Sequence, residues 1–355
     1  MVAMAAIPDL FVVGGGPVGL ATAIAARRKG LNVVVAEGLR PPVDKACGEG
    51  FLPDGLPAAR ALGLELTGIE CVPIRGIQFH GGPRSVVSDF PHGPGFGVRR
   101  TTLHASLIRV AQGLGVELRW GCSVGDFDGI QARWIVGADG SSSRIRSWAG
   151  LDRSVQNTRR FGFRQHFRVA PWSDYIEVHW GDGCQIYVTP VAQDEVGIAL
   201  LSRDSKLRVA EALRLFPSLL SRLAGAESSS NERGALTAMR RLRKVTCRNV
   251  ALAGDASGSV DAITGEGLCL GFHQALALAD ALERGDLSLY EAAHRRLARR
   301  SRFMAHLLLT MDRWPLIRQL VFPVLSTYPR IFEGLLALHV GAAHGGITRR
   351  LFRPA

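Results

Sequence analysis

Leu10-Phe11-Val12-Val13-Gly14-Gly15-Gly16-Pro17-Val18-Gly19 decides the fold of this chain. Four apolar residues stop abruptly at glycines, as a buried parallel strand does. From Pro17 to Gly30 the spacing of Ala and Leu predicts a helix, with Arg27, Arg28 and Lys29 in its last turn. Asn32 to Glu37 (NVVVAE) is a second, β-branched strand. Strand, G-x-G-x-x-G turn, helix and strand together make a dinucleotide-binding βαβ unit. Gly14 permits the tight turn, Gly16 lets backbone approach a pyrophosphate, and Gly19 lets the helix pack on the strand. The pyrophosphate is expected on the helix N-terminus at Pro17, where free N–H groups and the dipole favour an anion. Glu37, eighteen residues beyond Gly19, can accept hydrogen bonds from ribose hydroxyls. An acid there argues against a 2′-phosphate, so the ligand is FAD or NAD rather than NADP.

Further along, Ile74 to Arg100 reads as strands and turns, Thr102 to Leu114 as a helix, and Arg133 to Val136 as a strand running into Gly137. Phe161 to Leu201 alternates strongly and predicts an antiparallel sheet. Lys206 to Leu223 is helical but interrupted near Pro217, and Ser228–Ser230 reads as a loop. Asn249 to Ala253 is a strand ending at Gly254-Asp255, followed by a helix from Gly265 to Glu283. From Tyr290 onward the pattern is helical, broken at Pro315, Pro323 and Pro329. The expected class is α/β. A discontinuous Rossmann-type cofactor domain (8–72, 97–150 and 245–285) carries an inserted β-rich substrate domain (73–96 and 151–244), and a helical segment (286–355) follows.

Two more motifs carry chemistry. One is Gly137-Ala138-Asp139-Gly140-Ser141-Ser142-Ser143-Arg144-Ile145-Arg146; the other is Gly254-Asp255-Ala256-Ser257, continuing through Asp261-Ala262-Ile263-Thr264 to Gly265-Glu266-Gly267. With the N-terminal fingerprint they resemble the FAD-dependent monooxygenase and geranylgeranyl reductase superfamily, whose fold is that of para-hydroxybenzoate hydroxylase. The resemblance selects FAD over NAD as the bound cofactor. It implies that Asp255 accepts a hydrogen bond from a ribityl hydroxyl, and that Gly265-Glu266-Gly267 opens a helix aimed at the flavin pyrimidine, stabilising reduced flavin. Asp139, with Ser143 and Arg146 as its tail, lies in a motif shared between FAD and the nicotinamide donor. Arg100, in Arg100-Thr101-Thr102-Leu103-His104, is placed near the phosphates or ribityl chain, a role that Arg99 could also take. Lys45-Ala46-Cys47-Gly48-Glu49-Gly50 resembles the reductase branch's segment beside the isoalloxazine, which makes Cys47 and Glu49 candidates at the reaction chamber. His166, Tyr187 and Trp180 are candidates on the substrate sheet. Ala262 stands where the family commonly has Pro, and the W-x-W-x-I-P segment of flavin-dependent halogenases is absent.

The chain has 355 residues and a formal net charge of +12. Between Glu291 and Ala355 there are eleven Arg against Glu291, Asp312 and Glu333. No nucleic-acid-binding motif accompanies that charge, so nucleic acid is not expected as a partner. The basic end suits a solvated face, an acidic carrier protein or an anionic membrane edge. No secretory signal precedes the first strand and no run reaches the roughly 18–20 apolar residues of a membrane-spanning helix. Six scattered cysteines without CxxC or metal-ligand spacing suit reduced thiols in a cytoplasmic protein, and no metal site is expected.

Two chemistries fit such a chamber. An NAD(P)H-dependent monooxygenase would hydroxylate an apolar aromatic or polyketide-type molecule of secondary metabolism through a C4a-hydroperoxyflavin, and the Asp139 motif with its tail favours it. A flavin reductase or dehydrogenase would act on C=C bonds of a lipid, as the Cys47 and Gly265 segments suggest. A non-catalytic FAD-binding protein is the third alternative.

Overall fold

The computed structural model describes residues 7–156 and 159–341. Helix α1 is Pro17–Arg28, α2 Arg100–Gly113, α3 Gly267–Arg284, α4 Leu287–Arg313, α5 Pro315–Thr327 and α6 Pro329–Val340. A six-stranded sheet runs in the order Thr246–Cys247, Val250–Leu252, Trp134–Gly137, Leu10–Val13, Val33–Glu37, Glu117–Trp120. All its pairings are parallel except the edge pair Thr246–Cys247 with Val250–Leu252. Leu10–Val13 lies near its middle and is buried throughout, as a four-residue apolar run must be. Helix α1 then crosses α3 so closely that a Cβ at Gly271 would stand 2.4 Å from Val18 Cγ2. Only glycine allows that spacing.

The second, eight-stranded sheet includes Arg160–Arg168, Glu195–Ser202, Cys184–Ala192, Tyr175–Trp180, Gly76–Gly81 and Arg84–Asp89. Between Phe161 and Leu201 the strands pair antiparallel, as the alternation predicts, but Tyr175–Trp180 also pairs with Gly76–Gly81, and that pairing is parallel. A parallel pair needs a long crossover, and here the chain between Gly81 and Tyr175 passes through the first sheet before returning. Period-two patterning sorts the faces. Ile186, Val188, Ile198 and Leu200 pack against Val209, Leu213 and Leu219 in a small core of their own, while Tyr187, Thr189, Ala199 and Leu201 face the opposite way, into a cavity.

Two local expectations are corrected. Glu227–Ser228 is a short edge strand paired with Phe167 and Arg168, because the sheet edge satisfies backbone groups that a loop would leave to water. Pro323 does not break the helix but lies inside α5. The carbonyl that loses its donor is that of Gln319, an exposed residue where solvent substitutes for the missing N–H. Residues 342–355, including Arg349, Arg350 and Arg353, fall outside the described residues.

The long α4 is tied to the first sheet by Tyr290, buried, whose hydroxyl donates to the Leu252 carbonyl at 2.7 Å. Tyr290→Phe strands that carbonyl. Urea denaturation of the variant should show a loss of about 1–3 kcal/mol, with the fold otherwise retained.

Candidate functional site

One cavity of about 1130 Å³ runs through the molecule. At its inner end it is walled by the three segments picked out in the sequence. Gly14, Gly16, Pro17, Glu37, Arg100, Asp139, Gly254, Asp255, Gly265 and Gly267 all line it, as do Cys47, Glu49 and Tyr187. Residues as far apart as Gly14 and Gly267 thus meet at one surface because Val13, Gly137 and Leu252 end three adjacent strands of the same sheet.

The glycines divide by task. A Cβ at Gly19 would stand 1.8 Å from the Gly14 carbonyl oxygen, and one at Gly14, where φ is +110°, 2.4 Å from the Ala138 carbonyl. Both are packing glycines under the turn, and Gly19 does not touch the cavity. Around Gly16, by contrast, a Cβ would meet nothing within 4 Å, so its side-chain space is part of the cradle. Glu37 accepts hydrogen bonds from Gly15 N–H at 2.9 Å and Leu39 N–H at 3.0 Å. The Gly15 carbonyl takes one from His104 Nε2 at 2.7 Å, which pins the turn from α2. His104 was legible only as the last residue of the Arg100 motif.

Arg100 Nε and Asp139 Oδ1, both buried at the cavity wall, have no hydrogen-bond partner in the protein. The other oxygen of Asp139 accepts from Arg144 N–H at 2.7 Å. An unpaired guanidinium face, an unpaired carboxylate oxygen, an open glycine turn and a helix N-terminus are the donor and acceptor set that a flavin dinucleotide would satisfy. Asp255 completes it, its carboxyl pushed up by burial against the pull of Arg100 and Lys45. Arg99 is otherwise engaged, donating to Glu195 at 2.5 Å, so the cavity-facing role falls to Arg100. Ser143 and Arg146 are structural: Ser143 Oγ caps the short helix at Arg146 N–H, and Arg146 reaches Asp152, the Ala256 carbonyl and the Ser141 carbonyl.

Glu49 is the joint between layers. It is buried, sits at a left-handed φ of 59°, and accepts from Arg100 N–H at 2.8 Å and from His166 Nε2 at 2.5 Å. Arg164 Nη1 can only donate, so His166 Nδ1 accepts at 2.9 Å and the ring proton is fixed on Nε2. Arg164, itself buried, is neutralised by Asp44. His166 therefore stands behind Glu49 and does not line the cavity. Trp180, buried against Phe79, does not line it either. Tyr187 does, its hydroxyl donating to the Ile263 carbonyl at 2.8 Å. Cys47 lies on the wall with its thiol pushed up by burial. On the far face of the second sheet His80, Glu177 and His179 bring their ligand atoms within 4.8 Å of one another, outside the cavity, with His179 Nε2 2.9 Å from Glu177.

Glu266 corrects the expectation most plainly. Its side chain turns away from the cavity toward Arg300, at 3.5 Å, and His339 Nδ1, at 3.6 Å. His339 Nε2 donates to the Thr264 carbonyl at 3.0 Å. Helix α6 thereby fastens the Thr264-Gly265 turn, which the helical pattern alone did not reveal.

No family model matches the chain. Menaquinone reductase of Mycobacterium tuberculosis is 26% identical over 317 residues, covering 79% of this chain and 78% of the relative. Digeranylgeranylglycerophospholipid reductase of Methanosarcina acetivorans is 24% identical, covering 80% and 78%. Among solved structures, p-nitrophenol 4-monooxygenase of Pseudomonas putida superposes with a TM-score of 0.79 at 19% identity, covering 96% of this chain and 100% of that one. The chain is a flavin-dependent oxidoreductase. Across about four-fifths of its length it is similar to reductases of this kind, and its fold is that of a flavin monooxygenase, in line with the resemblance carried by the three ordered motifs.

Two consequences of this flavoenzyme's site can be measured. Gly16→Val should abolish flavin binding, read as loss of the yellow absorbance, while the apoprotein's melting temperature stays unchanged; Gly19→Ala should instead destabilise the fold. Burial pushes the Glu266 carboxyl up to about 8 from an ordinary 4.5. Between those values the folded chain binds more protons than the unfolded one, so stability falls as pH rises through the window. Glu266→Gln removes that slope: relative to wild type, its melting temperature should climb steadily between about pH 5 and about pH 8.

Proposed function

We propose that this flavoenzyme reduces a carbon–carbon double bond in a long apolar, isoprenoid-type substrate. The continuity of the cavity carries the reading. From the Gly14–Gly16 turn and Asp255 it passes beneath Ile77, Ile176 and Tyr187, then between α4, α5 and α6 past Met304, Leu308 and Phe332. Its lining continues past the three cofactor segments into apolar side chains of α4, α5 and α6, which gives an apolar reach beyond the glycine turns.

Bound FAD, once reduced by an external two-electron donor, would supply the hydride. The chain's own residues hold and shield. Arg100, Asp139 and Asp255 offer polar contacts to the cofactor, while Ile77, Val178 and Leu201 keep water from the reacting end. The Cys47 thiol, kept protonated by burial, is the proton source we assign to the second carbon of the reduced bond, with solvent restoring the proton afterwards. The two reductase relatives align over four-fifths of the chain, whereas 3-(3-hydroxy-phenyl)propionate/3-hydroxycinnamic acid hydroxylase of a Mycobacterium species aligns over 40% of it. That hydroxylase match, together with the Asp139 loop on the cavity wall, supports a second reading: hydroxylation of an apolar aromatic with NAD(P)H as electron donor.

Anaerobic turnover separates the two. Dithionite-reduced enzyme given a polyprenyl quinone should yield a product with one double bond fewer, by mass spectrometry, and without oxygen. Substrate-stimulated NAD(P)H oxidation matched by oxygen uptake, with no anaerobic product, would establish hydroxylation instead. A flavin that no donor reduces would leave only a binding role.

A further inference from the structure

Single exposed apolar side chains are ordinary on any protein surface; a contiguous patch is not. Nine of the sixteen exposed large hydrophobic residues among the described residues fall between Phe303 and Leu338. Leu316 and Leu320, one turn apart on α5, are 73% and 71% exposed. Trp314 and Tyr328, also exposed, stand at the two ends of α5. The cavity meets this patch, because Leu320, Val324 and Ile331 are at once exposed and part of the cavity wall. Its outer mouth is therefore rimmed by apolar side chains facing water.

The exposed charge at the mouth tilts basic. Arg318 is paired with Asp182 and Glu333 is exposed on α6, while Arg313 and Arg330 form no ion pair among the described residues. Arg313 and Arg330 are both exposed, one at each edge of the patch. An occupant must accordingly be apolar at the centre and anionic at the rim. It must also leave the mouth open to an apolar ligand, which a protein seated over Leu320 and Val324 would stop. An anionic lipid bilayer meets all three conditions.

We propose that the α5–α6 hairpin docks on an anionic bilayer, with the cavity mouth turned to the acyl chains. A lipid substrate then passes from bilayer to flavin without crossing water. The nature of that cargo rests on the reductase reading above; the docking does not. Among the described residues no helix is long and apolar enough to cross a membrane, so α5 and α6 lie in the interface plane with their apolar side sunk into it. Trp314 and Tyr328 have the amphipathic rings that settle at headgroup level. The arginines add roughly 1 kcal/mol each where they approach the anionic surface, an attraction that salt weakens.

Co-sedimentation of the full-length, FAD-loaded enzyme with vesicles tests this. Partitioning onto phosphatidylcholine–phosphatidylglycerol vesicles should exceed that onto pure phosphatidylcholine by at least about tenfold, and fall with salt. Trp314→Glu combined with Leu316→Glu, neither of them on the cavity wall, should cut vesicle binding by about tenfold or more. Flavin absorbance, melting temperature and turnover of a detergent-dispersed short-chain prenyl quinone should all stay at wild-type values. Docking is overturned if the wild type fails to sediment with anionic vesicles, if the double variant binds as the wild type does, or if size-exclusion chromatography shows a dimer that the double variant dissociates. Vesicle binding that behaves as expected beside absent turnover of every prenyl quinone would support docking and overturn the substrate reading alone.

Discussion

The architecture depends on two places where a side chain cannot be. Gly19 lies with its missing Cβ 1.8 Å from the Gly14 carbonyl, and Gly14 presses on the Ala138 backbone. This crowding lets the first strand, helix α1 and the Trp134–Gly137 strand converge within one turn of chain. Neighbouring strand ends then deliver Asp139 and Asp255 to the same wall. Widening the turn by one methyl group would move the helix N-terminus away from the anion it is aimed at, and the donors and acceptors around it would no longer share one ligand.

Polar joints, rather than apolar packing alone, hold the second sheet in register over that wall. Glu49 takes a backbone N–H from the start of α2 and the ring N–H of His166 from the sheet, while Asp44 and Arg164 balance the charges behind it. Such a network is costly when half satisfied. Here the left-handed backbone at Glu49 is the local strain that its two side-chain hydrogen bonds offset. At the other end of the cavity, Glu266 and His339 fasten α6 to the Thr264-Gly265 turn. The floor and the tunnel are thus coupled at both ends of the reacting region.

The sequence made the first of these layers legible and the second only in outline. Gly14, Gly16, Glu37, Asp139 and Asp255 could be named because glycine turns and strand-end acids are local signals of fixed spacing. His166 could be named but not oriented, since alternation says which residues share a face and not which face meets the flavin. Arg164, Asp44 and His339 gave no signal, because their partners lie 120, 120 and 75 residues away. Tertiary partners of that kind come from topology, and the parallel pairing of Tyr175–Trp180 with Gly76–Gly81 is the crossover that a reading of local pattern alone did not anticipate. The C-terminal helices, apolar on more than one face, could be read either as packed on the cofactor domain or as lining a greasy tunnel, because such helices look alike in both roles.

All of this converges on where one cofactor lies. A crystal structure of the enzyme grown with FAD would test it most directly. The account predicts the diphosphate against the Gly14–Gly16 turn at the head of α1, within hydrogen-bond reach of Arg100, and the isoalloxazine beside Cys47 and Gly265 at the inner end of the tunnel. A protein that stays colourless with excess FAD, or a flavin bound anywhere outside that cavity, would contradict it.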